Sequence, residues 1–185
     1  PILRGADFSV TEAGIRDTVR HVVLPIWNAY SFLTLYGNAA GLHGTVRTDQ
    51  TDVLDRYLMG ELRLLVESVT DRMDVYDLFG AAESVASFLD TLTNWYIRRS
   101  RNRFWAGDQD AIDALHTALV TLCQVAAPLL PLVTEHLYAG LVGDGDTAPS
   151  VHLTDWPDAE TFPRDADLHA GMAQVRDACS TLLSL

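Results

Sequence analysis

The sequence predicts an all-α fold, a bundle of five or six amphipathic helices. Apolar residues recur at three- and four-residue spacing over most of the 185 residues, which is the spacing of one face of a helix. Proline, glycine and asparagine interrupt this pattern at short intervals, as expected between packed helices. Too few segments alternate apolar and polar residues to build a sheet.

The first predicted helix begins at Ser9-Val-Thr-Glu12, a capping box in which the Ser and Glu side chains satisfy backbone amides of the first turn. Its apolar positions run from Ile15 to Tyr36, and Gly37-Asn38 and Gly41 end it. Pro25 interrupts the pattern. Because proline removes a helical hydrogen bond, we expect a kink there or two abutting helices.

The remaining segments follow in order. Residues 43–50 are polar and linker-like, and 143–150 form a Gly/Asp/Pro-rich loop followed by a short extended segment near 150–157. The further helices are predicted from Asp52, from about Asp77 to Trp105, after the Gly107-Asp108 turn, after Pro131, and from near Asp165 to the end.

The predicted domain organisation is one helical bundle over residues 1–157, then a linker and the start of a further helix over 158–185. Both ends, Pro1 and Leu185, have the appearance of cuts in a longer chain. No apolar run approaches the ~18 residues of a membrane span, and no signal-peptide pattern opens the chain. Cys123 and Cys179 lie in apolar helical settings, which predicts reduced thiols and a cytoplasmic protein.

The sequence offers no motif for catalysis or metal binding. No Gly-x-Ser-x-Gly elbow occurs, and no two of the six histidines have the i, i+4 spacing of a helical metal pair. The chain contains no lysine, which excludes a phosphate-binding Gly-Lys loop. Gly143-Asp-Gly-Asp146 lacks the later ligands of a calcium loop and predicts a solvated turn. We therefore expect no cofactor and no metal in this segment.

Charge is distributed unevenly. The net charge is −12, the opposite of the basic face expected of a nucleic-acid binder. All thirteen positive side chains are arginines, and four of them lie within six residues, at Arg98, Arg99, Arg101 and Arg103.

A helical wheel at roughly 100° per residue divides this cluster. Arg99 and Arg103 continue the apolar stripe of Phe88, Leu92, Trp95 and Tyr96, which predicts that they face the bundle and need an acidic partner. Glu135 is a candidate partner. Arg98 and Arg101 fall on the opposite side with Asn94, where their planar forks can bind phosphate. The alternative is that all four are solvated charges near a helix C-terminus.

Five motifs occur together in one order. They are Leu24-Pro-Ile-Trp-Asn-Ala-Tyr30, Leu54-Asp-Arg-Tyr-Leu58, Asn94-Trp-Tyr-Ile-Arg-Arg-Ser-Arg101 with Arg103-Phe-Trp105, Ala127-Pro-Leu-Leu-Pro-Leu-Val-Thr-Glu-His-Leu-Tyr138, and Ser150-Val-His-Leu-Thr-Asp-Trp-Pro157. Over about residues 8–157 this combination resembles the anticodon-binding domain of isoleucyl-tRNA synthetases, which are class Ia aminoacyl-tRNA synthetases. The valine, leucine and methionine enzymes share part of it, and the Asn-Trp-Tyr-Ile-Arg-Arg run favours isoleucine.

The resemblance implies the class Ia anticodon-binding bundle, with tRNA(Ile) and the catalytic domain of the same chain as partners and no membrane. The parent enzyme would join isoleucine to tRNA using ATP, with zinc in a C-terminal region. The family's His-Ile-Gly-His-like and Lys-Met-Ser-Lys-Ser-like motifs are missing, so this segment is expected to be inert in aminoacylation. The predicted RNA-binding residues are Asn94, Arg98, Arg101 and Asn102, and the predicted structural residues are Trp95, Tyr96, Arg99, Arg103 and Trp105.

Other functions stay open at this point. A helical scaffold could bind a protein partner through an exposed apolar stripe, and a self-contained all-α enzyme would need a pocket of convergent polar groups. The equivalent domain of a valyl-, leucyl- or methionyl-tRNA synthetase is a third alternative.

Overall fold

Helices account for almost all regular structure in residues 11–143 and 150–183, the parts of the chain that the computed structural model describes. No strand occurs in these ranges, which confirms the all-α prediction. The α-helices are α1 (Glu12–Thr18), α2 (Leu24–Ala40), α3 (Val53–Asp74), α4 (Leu78–Asp90), α5 (Arg98–Trp105), α6 (Gln109–Ala126), α7 (Pro131–Val142) and α8 (Ala166–Leu183). Two π-helical segments (Val19–Val23, Thr91–Ile97) and two 3-10 turns (Val151–Leu153, Ala159–Thr161) complete them.

The first rod is one succession of α1, a π-helical segment and α2. Pro25 stands in the first turn of α2, immediately after the π-helical segment. Because proline has no amide hydrogen to donate, a local change of hydrogen-bond pattern is expected there, and the helix changes register without breaking. It continues through Gly37 and Asn38, which we predicted to help end it, and stops at Gly41, the other predicted end, whose φ of 66° suits glycine.

The cap of this rod differs from the prediction. Thr11 has an extended backbone, and its hydroxyl accepts a hydrogen bond from the Gly14 amide at 3.1 Å, so Thr11 is the N-cap. Glu12 forms an ion pair with Arg16 one turn later. The predicted cap, Ser9, lies outside the described residues.

Helices α3 and α4 form a helical hairpin. Asp52 caps α3 as predicted, with its carboxylate accepting from the Leu54 amide at 2.8 Å. The chain reverses at Tyr76, which has a φ of 57°, and Asp77 caps α4 through the Gly80 amide at 3.0 Å. From there α4, the π-helical segment and α5 form one continuous rod along the predicted span to Trp105.

Helix α6 forms the centre of the bundle, because fifteen of its eighteen residues are buried. Two of its buried polar side chains bind the segment 43–50. Asp113 accepts from the Thr45 amide at 2.8 Å, and Thr117 accepts from the Arg47 amide at 2.9 Å. The polar segment 43–50 is therefore fixed against α6, although it has no regular structure of its own.

The segment after α7 is extended only at its flanks. Ser150 and Thr154 have extended backbone angles, but Val151–Leu153 between them forms a 3-10 turn. The turn is stabilised by the Ser150 hydroxyl, which accepts from the His152 amide at 3.2 Å. Glu135 holds the segment against α7 by accepting from the Ser150 hydroxyl and the Val151 amide, each at 2.9 Å.

Helix α8 begins where predicted, with the Asp165 carboxylate accepting from the Leu168 amide at 3.0 Å. It lies against α3: His169 Nδ1 is 3.1 Å from a Glu61 carboxylate oxygen, and Arg176 donates to the Tyr57 hydroxyl at 3.0 Å. Contacts therefore cross the predicted domain boundary at 157, which remains a prediction. Within the described residues, no helix is long and apolar enough to cross a membrane.

Candidate nucleic-acid interface

The π-helical segment Thr91–Ile97 decides which side chains are buried in the helix that follows it, α5, which carries the four clustered arginines and which we call the arginine helix. One line of buried positions along this rod is spaced by four residues: Phe88, Leu92, Tyr96, Ser100 and Phe104. A plain α-helix would have placed Arg99 and Arg103 on this stripe. Each π turn contains more residues than an α turn, because its amides bond five residues back rather than four. The register after the segment is therefore shifted by about one residue.

The four residues predicted to bind RNA are all exposed. Arg98, Arg101 and Asn102 lie on α5, and Asn94 lies in the π-helical segment before it. The Asn94 amide donates to the Asp90 carboxylate at 2.7 Å. Within the described ranges, no acidic side chain forms an ion pair with Arg98 or Arg101.

Arg99 does not face the interior, and that prediction is wrong. Its side chain is exposed, and its guanidinium carbon lies 3.7 Å from the ring centroid of Trp95. Trp95 is buried as predicted, at 8% exposure. The register shift is the physical reason, since it carries Arg99 off the buried stripe and over the outer face of the Trp95 ring.

Arg103 binds acidic side chains, but not the one that we predicted. Its two terminal nitrogens bind the two carboxylate oxygens of Asp55 at 2.7 and 2.8 Å, and its Nε donates to Asp108 at 2.7 Å. The Tyr96 hydroxyl donates to Asp55 at 2.7 Å. We call Asp55, Tyr96, Arg103 and Asp108 the carboxylate clamp. Glu135, the predicted partner, instead binds the segment at Ser150.

The contacts within the clamp shift the pKa values of its groups. Burial raises the pKa of Asp55, and the hydrogen bonds from Arg103 and Tyr96 offset part of this rise. Burial and the negative charge of Asp55 raise the pKa of the Tyr96 hydroxyl well above its usual range. Burial opposes the charged form of Arg103, but hydrogen bonds to Asp55 and Asp108 outweigh it and raise the pKa of the guanidinium.

Trp105 ends α5 at the surface. Its side chain is 60% exposed, and its indole nitrogen donates to the Tyr36 hydroxyl at 3.0 Å. It thus joins α5 to α2, although it is not part of the core.

Sequence reasoning missed two residues of this region. Asp55 was not among the predicted site residues, yet it is completely buried. Its position one turn after the Asp52 cap and beside Leu54 and Leu58 was the available signal. Arg176, from α8, has its guanidinium 5.6 Å from the Trp95 ring and donates to the Thr91 hydroxyl at 3.0 Å. No sequence signal links it to this site, because the contact crosses 85 residues.

The arginines of the described ranges fall into two groups. Seven of the twelve form ion pairs: Arg16, Arg47, Arg56, Arg63, Arg72, Arg103 and Arg176. The other five have no ion pair there: Arg20, Arg98, Arg99, Arg101 and Arg164. Three of these five, Arg98, Arg99 and Arg101, lie within four residues of α5. Unpaired positive charge is thus concentrated on this helix of an acidic chain.

Comparison with known proteins agrees with this geometry. Residues 55–185 match the family described as the anticodon-binding domain of tRNA ligase. Over all 185 residues the chain is 54% identical to the isoleucine–tRNA ligase of Mycobacterium tuberculosis and 50% identical to that of Nocardia farcinica. It is 45% identical to that of Tropheryma whipplei over 188 aligned residues. The whole chain is covered each time, but it spans only 17% of each relative's length.

The resemblance inferred from the five motifs is therefore confirmed, and it extends past residue 157 through α8. A helical bundle, the basic face of α5 and a family match over residues 55–185 all lead to one assignment. The chain belongs to the family of anticodon-binding domains of tRNA ligases.

Proposed function

We propose that this chain is the domain of an isoleucine–tRNA ligase that binds the anticodon stem and loop of tRNA(Ile). The observation that carries the proposal is the exposed, unpaired state of Arg98 and Arg101 on α5, in a chain whose net charge is −12. Ion pairs use most of the other described arginines, so these two guanidinium groups are available to a ligand.

Phosphate is the ligand chemistry that suits this face. A guanidinium donates two parallel hydrogen bonds to a phosphate and remains charged at any physiological pH. Phosphate contacts fix the register and orientation of a nucleic acid, and base contacts supply its sequence. We therefore assign Arg98 and Arg101 to positioning of the tRNA backbone, with Asn94 and Asn102 available for polar contacts.

The carboxylate clamp supports this role indirectly. It fixes the C-terminal half of α5 to the start of α3 through Arg103 and Asp55. Because the exposed arginines lie on the same two helical turns, their backbone positions are set before RNA arrives. Such preorganisation lowers the entropic cost of binding.

The parent protein would join isoleucine to tRNA(Ile) using ATP in the cytoplasm. Its catalytic and editing sites, its ATP site and any zinc site would lie outside this segment, which we propose to be inert by itself. The catalytic domain of the same chain is its second proposed partner. Because the segment is acidic, its own affinity for RNA should be low and should fall steeply with salt.

The proposal is tested by reversing the two charges in the full-length protein. The double variant Arg98→Glu with Arg101→Glu should raise the KM for tRNA at least tenfold, because two phosphate contacts become repulsive. Isoleucine activation, measured as isoleucine-dependent ATP–pyrophosphate exchange without tRNA, should not change. Steady-state aminoacylation and the exchange assay together measure both effects.

A matched control reverses two exposed arginines elsewhere, Arg16→Glu with Arg164→Glu, for the same change in net charge. It should leave the KM for tRNA within about twofold, since distant surface charges are screened by salt. Normal charging by the Arg98 and Arg101 variant would contradict the assignment of those residues.

A further inference from the structure

A groove runs between the arginine helix and α8, with a volume of about 550 Å³. Its walls include Asn94, Trp95, Arg98, Arg99, Arg176 and Ser180. No acidic side chain lines this groove among the described residues, although the chain as a whole carries twenty-five Asp and Glu residues. The local charge is therefore the opposite of the global one.

Trp95 holds Arg99 in place at the edge of this groove. The guanidinium carbon lies 3.7 Å from the ring centroid, a distance at which the aromatic face attracts a cation. Stacking uses the face of the guanidinium and leaves its in-plane N–H groups available. In the described ranges those groups have no acceptor, so Arg99 is an oriented donor without a partner.

The wall formed by Trp95 contains a second unused donor. Trp95 is only 8% exposed, and its indole nitrogen has no hydrogen-bond partner in the parts of the chain that the structure describes. Buried polar groups normally have a partner, and one without needs an explanation. Because this nitrogen is shut off from solvent, the donor that the groove offers to an acceptor is Arg99, which the Trp95 ring orients.

We propose that this groove binds a phosphate group of the tRNA backbone, with Arg98 and Arg99 as its donors and α8 as its second wall. The inference rests on the proposed function and extends it in two ways. Arg99, assigned from the sequence to bracing the bundle, becomes an RNA-binding residue. Helix α8 gains a role as the second wall, which Arg176 holds in place beside Trp95 through its hydrogen bond to Thr91 and its ion pair with Asp90.

A second cavity makes an extended polyanion the better occupant than a single acidic side chain. It has a volume of about 760 Å³ and lies between the first rod and α4, with Arg20, His21 and Asn28 in its walls. Asp90 also lines it, and its carboxylate is bound by Asn94 and Arg176. Asn94 lines both cavities. A polar track therefore continues from the α8 groove towards unpaired Arg20, and a nucleic-acid backbone can follow it with successive phosphates.

The test measures the salt dependence of tRNA binding by the full-length protein. Replacing Arg99→Gln should weaken binding about tenfold and reduce the slope of log K against log salt by about 0.7–0.9, the value of one lost phosphate contact. Arg99→Lys should keep most of the slope, because the charge remains. A role confined to covering Trp95 would instead lower the thermal stability and leave the slope unchanged, which would overturn the proposal.

The second wall is tested without touching Trp95. Ser180→Glu places a negative charge in the groove and should weaken tRNA binding at least threefold, whereas Ala178→Glu adds the same charge to α8 away from the groove walls and should not. Equal effects of these two variants would contradict the groove.

The outcomes separate the two proposals. If Arg98→Gln and Arg101→Gln weaken binding while Arg99→Gln and Ser180→Glu do not, the groove is wrong and the proposed function stands. If none of the four changes affects tRNA binding, the proposed function itself fails.

Discussion

Arg103 and Arg101 lie two residues apart on the same helix, but among the described residues one is ion-paired and partly buried and the other is unpaired and exposed. Arg103 binds both oxygens of Asp55 and also Asp108, and its side chain is only 23% exposed. Arg101 is exposed and has no ion pair in the described ranges. The chemistry of the two guanidinium groups is identical. Their difference arises from the completely buried carboxylate of Asp55, which lies within reach of one and not of the other.

The comparison teaches how an acidic protein can present a basic surface. Fixed negative charge neutralises an arginine when the two groups are paired, and a paired arginine has few donors left for a ligand. Arg103 consequently supports the helix, while Arg98, Arg99 and Arg101 remain available. The stability of the fold and the binding surface are thus assigned to different residues of one short helix.

The largest expected difference in stability between a change at the Arg103 site and a change at Arg101 comes from removing the buried carboxylate of Asp55. Asp55→Ala should lower the free energy of unfolding by about 3 kcal/mol, because it leaves Arg103 without its main partner and Tyr96 without an acceptor. The value is at the lower end for a broken buried pair, since Asp108 and Asp52 still contact Arg103. Urea unfolding of the 185-residue chain, followed by circular dichroism, measures it.

The control for this change is Arg101→Ala, which should alter the free energy of unfolding by no more than about 0.5 kcal/mol. If the Asp55 and Arg101 variants were equally stable, the division of α5 into a structural side and a binding side would be wrong.

A smaller loss of stability should follow from a change that keeps the positive charge of Arg103 but removes its planar guanidinium group. Arg103→Lys should cost about 2 kcal/mol, because an ammonium cannot bind both Asp55 oxygens and Asp108 in the same geometry. The same change at the exposed position, Arg101→Lys, should be close to neutral for stability. Unfolding curves of the two variants, recorded at equal ionic strength, provide the comparison, and a neutral Arg103→Lys would show that charge alone stabilises the clamp.

The smallest effect is expected at the phenol that shares the carboxylate. Tyr96→Phe removes one hydrogen bond to Asp55 but keeps the ring in the core and leaves the Arg103 pair intact, so about 1 kcal/mol should be lost. Binding of tRNA by the full-length protein should not change. A change in binding larger than twofold would mean that the clamp does more than hold α5 in position.

Much of the fold follows from local sequence. Asp52 and Asp165 cap helices at the predicted places, and the spans of α3, of the α4–α5 rod and of α7 agree with their apolar periodicity. These features depend on neighbouring residues, so periodicity and capping patterns contain the necessary information. The Gly37-Asn38 pair misled us, because helix packing can outweigh the weak helix propensity of these residues.

The site was predictable only in part, and Arg99 shows why. Exposure of Arg98 and Arg101 and burial of Trp95 and Tyr96 agree with a plain helical wheel. The wheel assumes one constant rotation per residue, and the π-helical segment Thr91–Ile97 violates that assumption. The resulting shift of register moves Arg99 to the surface. No local sequence pattern predicted this shift.

The helical class, the family and the concentration of arginine in one helix could all be predicted from the order of the residues. These three features depend only on which residue types occur and in what order, so the sequence contains the information for them. The tertiary structure alone decided which arginine is paired. That choice depends on Asp55 and Arg103 meeting across forty-eight residues, and on Arg176 of α8 reaching Trp95. Such contacts arise from the packing of whole helices against one another, which no short stretch of sequence specifies.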